Sequence, residues 1–240
     1  MSRIMTFRFG VIAYFTFFAA VAHAIFFVEN IVVPKTIDAG GPIAPVSQAI
    51  AINLLLMTIL GLQHSVMARQ GFKRWWTTLV PTSVERSAYL FTASLVVLVL
   101  MWQWRPMPEV VWQVTSPPIA MALTALSLLG WGVAFTSNFV VNHWELFGLQ
   151  HVGDYFHDSI TPEPTPRYYQ LPRYLIYLGF IVAFWSTPTM TKGHLLFAFV
   201  MSVYIVVGAI LKSDLIDQFA ERYLRYRERV AMRVSWRRSI

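Results

Sequence analysis

The sequence predicts an all-α integral membrane protein of about six transmembrane helices, with both ends on the cytoplasmic side. Three observations carry that prediction. Of 240 residues, 56% are hydrophobic and only 13% charged, about half the charged fraction of an ordinary soluble domain. The apolar residues fall in separate runs suited to a hydrocarbon core, which takes about 20 helical residues to cross. The basic residues gather in alternate connections between those runs.

The first run, near Phe9 to Val33, is long enough to span and lacks a small-residue cleavage site, so it reads as a retained helix. The second lies near Gln48 to Val66. After it, the segment from Arg69 to Glu85 mixes Phe72, Trp75, Trp76 and Leu79 with basic residues, the pattern of a helix lying in the membrane interface. Spans three and four follow near Ala88 to Trp104 and Ile119 to Val141. The fifth, Tyr174 to Trp185, stands between Pro172 and Pro188, so it is either short or extended upstream through Tyr168 and Tyr169. The sixth runs from His194 to Leu211. In the tail, residues 212–240, Leu215, Phe219 and Tyr223 recur at four-residue spacing among arginines, as in a basic amphipathic helix on the cytoplasmic face. No internal repeat divides the chain, which reads as one membrane domain over 1–240.

Orientation follows from the loops. Arg3, Arg8, Arg69, Lys73, Arg74, Arg86, Arg167, Arg173 and the tail fall on one side of the predicted membrane, and only Lys35, Arg105 and Lys192 on the other. Basic residues concentrate in cytoplasmic loops, so the sequence implies a multi-pass protein of the cell inner membrane. A net charge of +7 placed beside apolar spans indicates contact with anionic lipid headgroups and no nucleic acid. The absence of cysteine excludes disulfides, thiolate metal sites, iron–sulfur clusters and thiol nucleophiles.

Candidate chemistry centres on histidines and one loop. His23 and His64 lie inside spans one and two, and His143 at the cytoplasmic end of span four. Polar groups at membrane depth face the protein interior, where such histidines either hold a metal or haem or make structural hydrogen bonds. The second reading suits His64, between Gln63 and Ser65 at a span end. The loop 142–172 carries His143, Glu145, His151, Asp154, His157, Asp158 and Glu163 and is the natural lid or floor of an active site. His151 and His157 also suit plain solvation. Glycine-rich phosphate loops, carboxylate pairs within a span and serine–histidine triads are absent from the sequence.

Several motifs resemble the membrane-bound methanethiol S-methyltransferases. They are Asn53-Leu-Leu-Leu, Leu62-Gln-His-Ser-Val-Met-Ala-Arg69, Gly71-Phe-Lys-Arg-Trp-Trp76, Trp102-Gln-Trp-Arg-Pro106, Asn142-His143 with Leu146-Phe-Gly-Leu149, Ala183-Phe-Trp, Thr187-Pro-Thr-Met-Thr191 and Gly193-His-Leu-Leu-Phe197. They follow one order through nearly the whole chain. The wider group resembles isoprenylcysteine carboxyl methyltransferases, which use S-adenosylmethionine at the cytoplasmic membrane face. Its motif Arg-His-Pro-x-Tyr-x-Gly corresponds here to Arg173-Tyr174-Leu175-Ile176-Tyr177-Leu178-Gly179, and its acidic pair to Lys212 and Ser213, followed by Asp214. The closing pattern Phe219-Ala-Glu-Arg-Tyr223 is similar.

The resemblance implies cofactor binding by Arg173, Gly179, Asp214 and Tyr223, with Tyr177 or His143 orienting the acceptor. It implies methyl transfer to a small thiol or another lipophilic acceptor. The replaced positions also suit a catalytically inactive relative serving as an accessory subunit of a membrane protein complex. Haem or metal binding through His23, His64 and His143 is a third reading.

Overall fold

The computed structural model describes residues 3–67, 69–140 and 170–210. They form an all-α integral membrane protein with a minimal sheet. In chain order the elements are α1 (Arg3–Val28), α2 (Val46–Met67), α3 (Gln70–Trp76), a 3-10 turn (Thr82–Val84), α4 (Glu85–Gln103), β1 (Val110–Gln113), α5 (Pro117–Val140), α6 (Gln170–Trp185), β2 (Thr189–Thr191) and α7 (Lys192–Ile210). Among the described residues, five helices, α1, α2, α4, α5 and α7, are long and apolar enough to cross a membrane. The apolar stretch of α6, Tyr174–Trp185, is shorter. α6 itself begins at Gln170 and accommodates Pro172 in its first turn, where a missing N–H costs nothing.

Two compact units make up the chain, Met1–Val200 and Met201–Ile240. In the first, contacts fix the direction of each helix. Phe9 meets Phe91 and Phe27 meets Trp104, so α1 and α4 run parallel. His64 bonds Tyr89 while Asn53 bonds Arg105, so α2 runs antiparallel to α4. The first unit therefore has one end bearing Arg8, Arg69, Lys73, Arg74 and Arg86, the basic end, and an opposite, capped end. The described part of the second unit, Met201–Ile210, is helical.

The capped end is built from the connections. α1 stops at Val28, before the predicted Val33, because Asn30 takes a left-handed φ of 58° and Ile31 N–H reaches back to the Phe26 carbonyl, a closure that asparagine tolerates. The strand following α4 pairs antiparallel with β2, Val110 facing Thr191 and Gln113 facing Thr189. Ile37, fully buried, accepts from Trp104 Nε1 at 3.0 Å. Trp104 itself is fully buried, edge-on to Phe27 and Phe197, and Phe184 joins Phe197 to Trp131. These rings connect α1, α4, α5, α6 and the first turns of α7 in one aromatic cluster.

α5 and α6 approach more closely. A Cβ on Gly130 would lie 2.7 Å from the Gly179 carbonyl oxygen, and one on Gly179 would lie 2.6 Å from that of Gly130. Gly130 and Ala134 on one helix face Gly179 and Ala183 on the other, the small-residue spacing that lets backbones touch in a bilayer. Outward positions such as Phe15, Leu55, Leu62, Met121, Leu129 and Leu178 are exposed, as lipid contact requires.

Candidate active site

Three elements bring reactive side chains to the basic end. The last turns of α2 carry Gln63 and His64, and the opening of α4 carries Tyr89. The Tyr89 hydroxyl lies 2.9 Å from His64 Nδ1, with ring centroids 5.5 Å apart. Between the two helices, α3 stacks Phe72 on Trp76 at 5.7 Å. Gln63 Nε2 donates to Met67 Sδ, whereas the buried Gln63 Oε1 and Trp76 Nε1 have no hydrogen-bond partner.

α6 starts at the same end, because its far end contacts α5 at Ser127 and the first turn of α7 at His194. Of the residues expected to bind cofactor or acceptor, Arg173 sits in the opening turn of this helix and Tyr177 is half-buried one turn later. Gly179 is buried against α5. His143, Asp214, Tyr223 and Lys212 lie outside the described residues. Tyr174, at the first altered motif position, is exposed.

His23 and His64 do not converge. His23 lies one turn from Phe27, near the capped end, about 21 Å along α1 from the level of Phe9 at 1.5 Å per residue. His64 lies at that basic-end level through Tyr89. Among the described residues no three His, Asp or Glu side chains gather to hold a metal.

A polar network at the capped end has no counterpart in the sequence reading. Asn30 Nδ2 donates to Asp38 Oδ2 at 2.7 Å, the Thr191 hydroxyl donates to Asp38 Oδ1, and Thr191 Oγ1 accepts from His194 N–H at 3.1 Å. His194 Nε2 donates to the Phe184 carbonyl at 3.0 Å. Nearby, Glu29 Oε1 accepts from Ser127 Oγ at 2.6 Å and Trp131 Nε1 at 2.9 Å. Lys35 donates to the Trp102 carbonyl, and partial burial, then the neighbouring Arg105 charge, lowers its pKa. The network ties the loops of the capped end together. The sequence signal for it was thin, since its partners are up to 153 residues apart.

Fold and site together define a multi-pass helical membrane protein whose first unit carries the His64–Tyr89 pair and the buried polar atoms of Gln63 and Trp76 at its basic end. The chain belongs to the methanethiol S-methyltransferase family. It is 49% identical over 242 residues to methanethiol S-methyltransferase 1 of Bradyrhizobium diazoefficiens, covering 99% of this chain and 85% of the relative. It is 45% identical over 240 residues to the methanethiol S-methyltransferase of Mycobacterium tuberculosis, covering 98% of both. Human nurim is 29% identical over 184 residues, covering 71% of this chain and 67% of that protein. No family model and no solved structure matches the sequence.

Proposed function

We propose that this protein transfers a methyl group from S-adenosylmethionine to a small thiol at the cytoplasmic face of the inner membrane, acting as a single membrane domain. The observation that carries this reading is the alignment with proteins named for methanethiol methylation over 98% and 99% of the chain. The clustering of Arg8, Arg69, Lys73, Arg74 and Arg86 at the end that holds the candidate site supports the cytoplasmic assignment.

S-adenosylmethionine supplies an electrophilic methyl on a sulfonium centre. Its carboxylate suits a bidentate Arg173, while Asp214 and Tyr223 supply acceptor oxygens for its charged and polar portions. Gly179 serves the same set by allowing α6 to lie against α5, which fixes the position of Arg173 and Tyr177. The orphaned Gln63 Oε1 and Trp76 Nε1 add one acceptor and one donor at this end, as a polar cofactor requires. Tyr177 and His143 orient the thiol. With so little covalent work, most of the rate comes from alignment of thiolate and methyl.

Purified protein incubated with methyl-labelled S-adenosylmethionine and methanethiol is expected to release labelled dimethyl sulfide. Absence of cofactor binding at millimolar concentration, by calorimetry, would end the enzyme reading and leave that of an accessory subunit.

A further inference from the structure

We propose that Lys35 and Arg105, at the capped end, form a site for the phosphate of one anionic phospholipid, with the exposed indole of Trp102 beside it. This is independent of the methyl-transfer reading.

Both cations converge on the end of α4. Lys35 donates to the Trp102 carbonyl, and Arg105 Nη1 donates to the Gln103 carbonyl at 2.9 Å, so consecutive backbone oxygens hold them. A helix C-terminus carries about half a unit of negative charge, which a single cation already exceeds. The carboxylates of this end are committed elsewhere. Among the described residues, Asp38 accepts from Asn30 and Thr191, Glu29 accepts from Ser127 and Trp131, and Glu109 pairs with Lys192 at 2.7 Å. Partial burial and then the Arg105 charge lower the Lys35 pKa, as expected of a cation facing another with no anion between them.

The position selects a lipid. The α4 span ends at Gln103, which sets the pair at headgroup level. Asn53 grips the Arg105 backbone about 10 Å along α2 from its first residue, so the opening turns of α2 extend past the pair. Trp102, on the last turn of α4, is 69% exposed, the placement of an aromatic belt residue. A phosphodiester accepts from the remaining N–H groups of both cations, with the Arg105 fork matching its oxygens. The ammonium of a zwitterionic headgroup would bring back the like charge that the phosphate removes, so an anionic headgroup is preferred.

The test titrates the full chain in detergent with phosphatidylglycerol or phosphatidylcholine and follows bound lipid by native mass spectrometry. Wild type is expected to hold one phosphatidylglycerol about tenfold more tightly than phosphatidylcholine. Lys35→Gln and Arg105→Gln are each expected to weaken phosphatidylglycerol about tenfold, the worth of a charge-assisted bond. Neither substitution touches the Asn53 clasp, which uses only backbone atoms of Arg105. Arg105→Lys keeps the charge and should retain most of the affinity, and Arg74→Gln, at the exposed basic end, should leave it within about twofold. Unchanged affinity in both glutamine variants, an equal loss in Arg74→Gln, or no preference between the two lipids would overturn the proposal. Inorganic phosphate, titrated alone by calorimetry, is expected to bind far more weakly, and binding as tight as that of the lipid would overturn the lipid assignment in favour of a free-anion site.

Discussion

Asn53 holds the backbone of Arg105 with both ends of its amide. Its Nδ2 donates to the Arg105 carbonyl at 2.8 Å and its Oδ1 accepts from the Arg105 N–H at 2.9 Å. Asn53 is fully buried on α2, and Arg105 lies just past the end of α4. The pair therefore closes a helix end whose backbone groups have no further helical partners.

Replacing Asn53 with Leu leaves one donor and one acceptor of Arg105 unmatched. Each orphaned group costs about 1–3 kcal/mol, so a loss of about 2–6 kcal/mol is expected in detergent unfolding. Leu55→Ala, on the exposed face of the same helix, is expected to change stability by less than about 0.5 kcal/mol. Similar effects from both would show that the amide clasp contributes little.

Gly130 and Gly179 make a sharper prediction. A Cβ at either meets backbone of the other helix at 2.7 Å or less, which no rotamer change relieves. Gly130→Ala and Gly179→Ala are each expected to cost about 2 kcal/mol or more through separation of α5 and α6. At Gly132 a Cβ meets nothing within 4 Å, and Gly132→Ala is expected to be neutral or mildly stabilising. Thermal unfolding of the three variants in one detergent separates crossing from general helix effects.

Much of this architecture was legible because spans announce themselves by length and apolarity. α1, α2, α4 and α5 fall where the apolar runs do. The short sheet was not legible, since Val110–Gln113 and Thr189–Thr191 have no pattern longer than a loop. The Glu29 and Asp38 networks depend on residues brought together only by helix packing. Gly179 shows a signal left unused. Its spacing to Ala183, repeated by Gly130 and Ala134, marks a helix crossing as clearly as the family motif marks a cofactor position. His64 was visible as a histidine within a span, but nothing in the sequence singled out Tyr89 as its partner.

Arg173 bears on activity. If it pairs with the cofactor carboxylate, Arg173→Ala is expected to weaken S-adenosylmethionine binding about 30-fold, the worth of a charge-assisted bidentate contact. Arg173→Lys keeps the charge without the fork and should fall between. Calorimetric affinities in that order support the assignment, and unchanged affinity in Arg173→Ala removes Arg173 from the site.

Glu29 joins three helices from the end of α1. Its Oε1 accepts from Trp131 Nε1 at 2.9 Å and from Ser127 Oγ at 2.6 Å, and Ser127 also lies 2.7 Å from the Ala183 carbonyl. One hydroxyl has a single proton to share between those two acceptors, so Trp131 is the donor committed to Glu29. A double-mutant cycle with Glu29→Ala and Trp131→Phe isolates that bond, because the phenyl ring retains most of the contact with Phe180 and Phe184. The expected coupling is about 1 kcal/mol. Ser127→Ala, by contrast, deprives α6 as well as α1 and should reduce stability by about 1–2 kcal/mol even in the Glu29→Ala background. Additive single effects in the cycle would mean that the Trp131–Glu29 bond contributes nothing measurable to holding α1 against α5.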